Sequence, residues 1–173
     1  EISDSDAEAI AAKLTQDVTL PPKTEYKLSD LNISKDNSAE AKEISKSALT
    51  VLANELIAAS IKDAKNKEDA LSVVTIASET QNSSILEKLD PIIARHQTLV
   101  KNLLALKTPS GAAELHLRLT QSIEDMRAAM KGLQKLITDP IVGLAAITEY
   151  QKGAVDFYTA VDEYTKFFDS ANR

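Results

Sequence analysis

The two histidines, His96 and His116, are the residues of this chain best suited to bind a metal ion. Both fall on or beside apolar helical stripes, which could place them in the protein interior. A turn at residues 108–111 would join their helices into an antiparallel hairpin, with His116 opposite about residue 103 and His96 opposite about residue 123. The two rings would then lie roughly 10 Å apart along the axis. We therefore expect no metal site shared by the two histidines.

Other side chains with chemical potential also lack a productive pattern. The carboxylates of Glu124 and Asp125 are adjacent on one predicted helix, so they point to different sides and are expected to face solvent. Ser110 follows Pro109 in a turn without the G-x-S-x-G signature, which favours a helix cap over a nucleophile. There is no cysteine, and the four glycines form no phosphate-binding motif. We expect no catalytic residue, no cofactor and no metal, and therefore a protein that is not an enzyme.

Charge and hydropathy limit the possible partners. The formal net charge is −6 and the basic residues are scattered, which argues against nucleic acid. We find no run of about 18 apolar residues and expect no membrane-spanning segment in the given chain. Because the chain begins with Glu1 and not with Met, an upstream signal or membrane anchor is compatible with it. Hydrophobic residues make up 43%, enough for one buried core.

The N-terminal part divides into a short helix and an arm. Helix-favouring residues over 1–17 end before Pro21-Pro22, which force an extended path. Residues 18–37 have no helical period, but they are too rich in apolar side chains for a flexible linker. We expect them to form an ordered arm over a bundle made by residues 38–173.

Capping residues and apolar spacing predict the helices of that bundle. Ser38 begins a helix of roughly six turns, with an apolar stripe of Ile44, Ala48, Leu52, Leu56 and Ala59. The charged segment 62–69 loosens or ends it, and a second helical stretch covers about 67–80. Ser84 begins a heptad-like stripe that continues to Leu106. Pro91 interrupts that stripe, which indicates either a kink or a second helix start capped by Asp90.

The strongest helical signal follows the turn at 108–111. Apolar residues from Leu119 to Ile137 alternate by 4 and 3, predicting a helix of about 27 residues. Asp139-Pro140 then places a cap and a proline at the start of a last helix that ends at 170–173. Short turns between helices of similar length predict antiparallel neighbours. The expected fold is all-α: one domain over 1–173, an antiparallel bundle of four to five helices with an extended N-terminal arm.

The last helix holds most of the aromatic residues. We regard this set as the candidate contact surface of the chain: Tyr150, Tyr158, Tyr164, Phe167 and Phe168. Tyr158 and Phe167 lie off the main apolar stripe, and aromatic residues outside a core stripe often mark binding surfaces. Coverage of the set by the 18–37 arm is the simpler interpretation. The heptads likewise fit packing within one chain, although a protein partner or self-association would use the same pattern.

Several short motifs carry a resemblance to a known group. They are Leu28–Asn37, Pro109, Glu114–Leu117, Asp139-Pro140 and Tyr150 with the aromatic helix after it. With these motifs, about two thirds of the chain resembles helical proteins of candidate-phyla (Parcubacteria-like) bacteria. Those proteins have an N-terminal membrane segment, a helical region outside the cytoplasm and no assigned activity. The resemblance implies a location outside the cytoplasmic membrane (periplasmic, cell-surface or secreted).

Two functions remain open from the sequence. The first is a non-enzymatic extracytoplasmic helical scaffold or protein-interaction module. The second is an extracytoplasmic ligand-sensing helical bundle. Such a sensor needs long first and last helices that continue to the membrane, and the stop at Pro21-Pro22 counts against it.

Overall fold

The computed structural model describes residues 18–170, and they form an all-α bundle with few strand residues. This confirms the predicted fold class, whereas the predicted helix over 1–17 lies outside the described residues. The five α-helices of the described part are α1 (Ala39–Asn66), α2 (Ala70–Thr80), α3 (Asp90–Ala105), α4 (Ala113–Leu133) and α5 (Pro140–Ser170). Two short strands, β1 (Ile33–Ser34) and β2 (Thr108–Pro109), pair in parallel.

Helices α3, α4 and α5 form the centre of the fold as antiparallel neighbours. Leu119, Ile123 and Met130 of α4 are buried between the other two helices. Glycines permit the closest approach of α4 and α5: a Cβ atom at Gly153 would lie 2.9 Å from Met126 Cγ. Helix α4 is therefore the most enclosed helix among residues 18–170, with polar as well as apolar side chains buried along it.

Local capping signals explain three helix starts. Ser38 Oγ accepts a hydrogen bond from the Ala41 N–H at 3.2 Å, and Asp139 accepts one from the Val142 N–H at 3.3 Å, as the sequence predicted. The boundary between α1 and α2 differs from the prediction. Lys67 is not helical, because it ends α1 in the left-handed conformation with φ 55°, and Asp69 caps α2.

The region before α3 corrects two predictions. Residues 83–89 form a 3-10 helix capped by Asn82, whose side chain accepts from the Ser84 N–H at 3.1 Å, so Ser84 is not the cap. Helix α3 begins at Asp90 with Pro91 in its first turn. Of the two alternatives, the second helix start is therefore correct and the kink is not. Asp90 is not a cap either, since its carboxylate accepts a hydrogen bond from Gln134 Nε2 at 2.7 Å.

The turn after α3 is more elaborate than expected. Thr108–Pro109 is strand β2, and the Thr108 N–H donates to the Asn32 carbonyl at 2.9 Å. Residues 110–112 then form a 3-10 turn, so α4 has 21 residues and is shorter than the predicted helix. The arm and this turn thus tie the N-terminal segment to the bundle.

Helix α1 lies over the bundle but is barely inserted in it. Of its 28 residues, only Ser45 is buried. It runs antiparallel to α5, since Lys46 pairs with Asp169 at 3.8 Å and residues 56 and 60 line a cavity together with residues 147–151. This loose contact leaves cavities between α1 and the bundle, and the side of α1 that points away from the bundle is exposed to solvent.

Candidate functional site

His116 is a buried part of the hairpin between α3 and α4. Its Nε2 donates a hydrogen bond to the Leu103 carbonyl at 2.8 Å, which confirms the predicted register. Its Nδ1 lies 3.0 Å from the Tyr164 hydroxyl and accepts from it, because Nε2 already carries the proton. Burial lowers the pKa of His116 and raises that of Tyr164. Both ring nitrogens are thus engaged in holding the bundle together.

His96 lies on α3 with a separate set of neighbours. Its Nδ1 is 2.9 Å from the Ile92 carbonyl one turn earlier, and burial lowers its pKa. Among residues 18–170, no group of three metal-ligating side chains comes together. The two histidines therefore belong to two structural environments, one at the hairpin and one beside a cavity.

Glu124 is buried, contrary to the expectation of a solvent-facing carboxylate; only 2% of it is exposed. Arg127 donates to it from Nε and Nη2, each at 2.6 Å, and the Thr24 N–H of the arm donates at 3.0 Å. Burial by itself would raise the pKa of Glu124, but these hydrogen bonds and the arginine charge outweigh it and keep the pKa lowered. Glu124 is consequently an anchor for the arm.

The five aromatic residues of α5 do not form one surface. Tyr164 and Phe168 are stacked in the core with their centroids 5.2 Å apart, so the prediction is wrong for these two. Phe167 is half-buried beside Gly111, and Tyr150 is half-buried at a cavity. Tyr158 is 72% exposed and is the one that projects outward. Tyr26 of the arm packs against the core cluster that contains Tyr164 and Phe168.

A broken groove lies between α1 and the three central helices. It consists of three cavities of about 200, 280 and 510 Å³. Leu56 of α1 lines all three, and Leu103, Ile123 and Phe157 line the first. The groove is apolar there.

The largest cavity forms the polar end of that groove. His96, Tyr150 and Asp69 line it, together with an ion pair between Asp63 of α1 and Arg95 of α3. The pKa of Asp69 is lowered mainly by a hydrogen bond from the Ser72 side chain, and the Ser72 backbone N–H adds to this. Partial burial acts in the opposite direction but is outweighed. Charged groups and a buried imidazole therefore lie at one end of the groove, and the mainly apolar first cavity lies at the other.

The opposite face of α1 carries apolar residues into solvent. Ile44, Val51 and Ile61 are 63%, 56% and 51% exposed. The sequence predicted Ile44 in the stripe that packs on the bundle, and this prediction is wrong because Ile44 faces solvent. A second stripe one heptad apart, at residues 44, 51 and 58, was present in the sequence and would have indicated this outer face.

The stretch that contains α1 and α2 bears on the expectation of no membrane-spanning segment. By length and composition alone, the stretch Ala39–Thr80 is long and apolar enough to cross a membrane, and little of it is buried. Lys46 and Glu55 interrupt its most apolar part, residues 44–61. No known protein family, no curated protein and no solved structure matches this chain. The candidate site is therefore defined by geometry: the outer face of α1 and the groove beneath that helix.

Proposed function

We propose that this chain is a non-enzymatic protein-interaction module, located outside the cytoplasmic membrane, which docks a helical partner on the outer face of α1. The observation that carries the proposal is the exposure of Ile44, Val51 and Ile61 along one line of that helix. The resemblance to extracytoplasmic helical proteins supports the location.

The energetics of α1 support a docking role. A surface helix ordinarily buries one apolar stripe and presents polar residues on its other face. Helix α1 has apolar residues on both faces, with Leu52 and Leu56 half-buried inside and Ile44 and Ile61 exposed outside. Fully burying an isoleucine contributes roughly 1.5–3 kcal/mol, and covering Ile44 or Ile61, which are 63% and 51% exposed, contributes about half to two thirds of that. A partner helix along the outer line would therefore be stabilised by several such residues.

The chemistry of the buried polar groups also fits a non-enzymatic role. His116 is held between Leu103 and Tyr164, and Glu124 is held by Arg127 and the arm. A catalytic acid or base must reach the proton of a substrate. These side chains instead connect elements of the bundle.

Site-specific photo-crosslinking in the cells that make the protein tests this proposal. A benzoylphenylalanine at Val51 should give one discrete protein adduct, and the same label at Lys152, which is exposed on α5, should give none. Ile61→Asp should abolish the adduct because it places a charge within the contact. Equal labelling at Val51 and Lys152, or an adduct unchanged by Ile61→Asp, would show that α1 is not a docking surface.

The location has its own test. A membrane-impermeant amine reagent applied to intact cells should label the exposed Lys152 of an extracytoplasmic protein. A cytoplasmic marker protein serves as the control. The labelling is repeated after the outer envelope has been opened with the cytoplasmic membrane left intact, and labelling that requires rupture of the cytoplasmic membrane would contradict the proposed location.

The groove beneath α1 supports a second candidate, a ligand-sensing bundle. Its hydrocarbon lining and its polar end at Arg95 and His96 fit an elongated apolar molecule with a polar head group. A long-chain fatty acid should then raise the melting temperature of the protein. Leu56→Trp should fill the shared wall of the three cavities and abolish this shift, whereas Val155→Trp on exposed α5 should retain it. No shift with the unmodified protein would count against the sensor.

A further inference from the structure

We infer that the partner on the outer face of α1 is a second copy of this chain, with the two α1 helices antiparallel across a twofold axis. This inference rests on the proposed docking function and names its partner. It starts from a set of residues that we call the α1 seam. The α1 seam consists of Glu40, Ile44, Ser47, Val51, Asn54, Ala58, Ile61 and Lys65, all of them exposed.

The seam has the geometry of a coiled-coil contact line. Its residues follow one another at alternating spacings of 4 and 3, so they stay on one side of the helix along its whole length. From Glu40 to Lys65 the line is about 37 Å long. The residues that α1 turns toward the bundle, Leu52 and Leu56, lie outside this set. A second helix can therefore lie along the seam while the core contacts of α1 stay in place.

The order of the residues makes the seam complementary to its own reversed copy. In an antiparallel pair centred between residues 52 and 53, Glu40 lies opposite Lys65 of the partner subunit. Ile44 lies opposite Ile61 of the partner subunit. The remaining pairs match Ser47 with Ala58 and Val51 with Asn54. Because the axis is twofold, each of these contacts occurs twice.

Charge decides between the two possible directions. A parallel pair would set Glu40 against Glu40 and Lys65 against Lys65 at its two ends, and like charges so placed repel. The antiparallel pair replaces both repulsions with attractions, and it keeps isoleucine opposite isoleucine as the parallel pair does. The small Ser47 and Ala58 lie between the isoleucine pairs and the centre, where they leave room for close helix approach. The seam therefore fits its own reversed copy, because charge and size match at the same time.

The oligomeric state provides the first test. Sedimentation equilibrium of the full chain should show a monomer–dimer equilibrium, and Ile44→Asp should weaken it at least tenfold in Kd. Leu71→Asp is the matched control, because Leu71 is 76% exposed on α2 and lies outside the seam; its Kd should stay within twofold. A chain that remains monomeric at about 100 µM, far above the Kd of a specific dimer, would overturn the inference.

A charge exchange tests the direction of pairing. Glu40→Lys and Lys65→Glu should each weaken the dimer several-fold, and the double variant should return to within twofold of the original Kd. In a parallel pair the double variant would retain like charges at both ends and would show no rescue. Circular dichroism of each variant checks that its helix content is unchanged.

Disulfide trapping gives an independent readout, since the chain has no cysteine of its own. Ile44→Cys protein mixed with Ile61→Cys protein should form a crosslinked dimer under mild oxidation. Ile44→Cys alone should not, because the two introduced thiols of an antiparallel pair lie about 25 Å apart along the axis. Crosslinking of Ile44→Cys alone with no mixed product would overturn the antiparallel arrangement.

Failure of this inference is distinguishable from failure of the docking function. A monomer whose Val51 photo-adduct contains another protein retains the docking function and excludes the second copy. A monomer that instead binds vesicles of phosphatidylglycerol and phosphatidylethanolamine, with loss of binding in Ile44→Asp, overturns both and assigns the seam to lipid.

Discussion

His116 occupies a position where a metal ligand was conceivable, yet both of its ring nitrogens are bound within the bundle. The register predicted from the turn at 108–111 placed it opposite Leu103, and it is there. The sequence could not reveal that Tyr164, from the last helix, completes its environment. That contact depends on how α5 packs against α4, which involves residues 48 positions apart. Local spacing thus predicted the neighbour of His116 on α3, and tertiary packing added its neighbour on α5.

The two histidines predict a loss of stability on mild acidification. Burial lowers the pKa of both His96 and His116 in the fold, whereas in the unfolded chain they titrate near 6.5. Below that pH the unfolded state takes up protons that the fold excludes. The free energy of unfolding should therefore fall from pH 7.5 to 5.5, by at most about 1.4 kcal/mol per pH unit for each histidine. Urea unfolding at the two pH values measures it.

Substitution of the histidines tests whether they cause the pH dependence of stability. Replacement of both histidines by glutamine should remove most of the pH dependence between 5.5 and 7.5, even though it lowers stability at both values. The paired carboxylates do not interfere, because the lowered pKa of Glu124 and Asp69 moves their loss of stability to more acidic solution. An undiminished slope in the double variant would assign the pH dependence to other groups.

At the scale of single elements, two capping signals predicted helix starts correctly, whereas the predicted caps Ser84 and Asp90 were wrong. Ser38 and Asp139-Pro140 satisfy backbone groups within one turn of themselves, so their effect does not depend on the rest of the chain. Residues 83–89 have the apolar spacing of an α-helix, but they form a 3-10 helix. Residues three positions apart lie on one face in both kinds of helix, so the spacing does not distinguish them. The prediction that Ile44 faces the bundle was wrong, because α1 has two apolar stripes and Ile44 belongs to the one that faces solvent. Only the position of the bundle decides which stripe turns inward.

The contact of α4 with α5 predicts an unfavourable effect of Gly153→Ala. Helix propensity alone would favour alanine by about 1 kcal/mol. The added methyl would lie 3.2 Å from the Met126 nitrogen and 3.3 Å from the Ser122 carbonyl oxygen, which belong to backbone that cannot move freely. We expect a net destabilisation of about 1–3 kcal/mol, measured by chemical unfolding. Thr148→Ala, exposed on the same helix, should be neutral or stabilising. Stabilisation by Gly153→Ala would mean that the helices separate without cost.

The whole molecule has a tightly packed centre and a loosely attached cover. Side chains from α3, α4 and α5 interlock, and the arm is fixed to α4 by Tyr26 N–H donating to Gln121 at 2.9 Å. Helix α1 adds few buried groups and leaves cavities beneath it. The composition predicted a single core, but it could not show this inequality, because the apolar content of α1 equals that of a core helix. The candidate site lies where the packing is poorest.

This inequality predicts that α1 opens before the rest of the bundle. Amides of a helix with one buried residue and cavities below it should exchange hydrogen by local opening, whereas those of α4 require global unfolding. In dilute protein we expect the slowest amides of α1 to exchange at least tenfold faster than those of α4, measured by mass spectrometry. If α1 pairs with a second copy, its exchange should slow as the protein concentration rises, because opening then requires dissociation. In Ile44→Asp the exchange of α1 should be fast at every concentration, and α4 should be unaffected. Equal exchange of α1 and α4 in dilute protein would show that α1 is held as firmly as the central helices. Weak packing of α1 would then no longer support the binding of a partner to that helix.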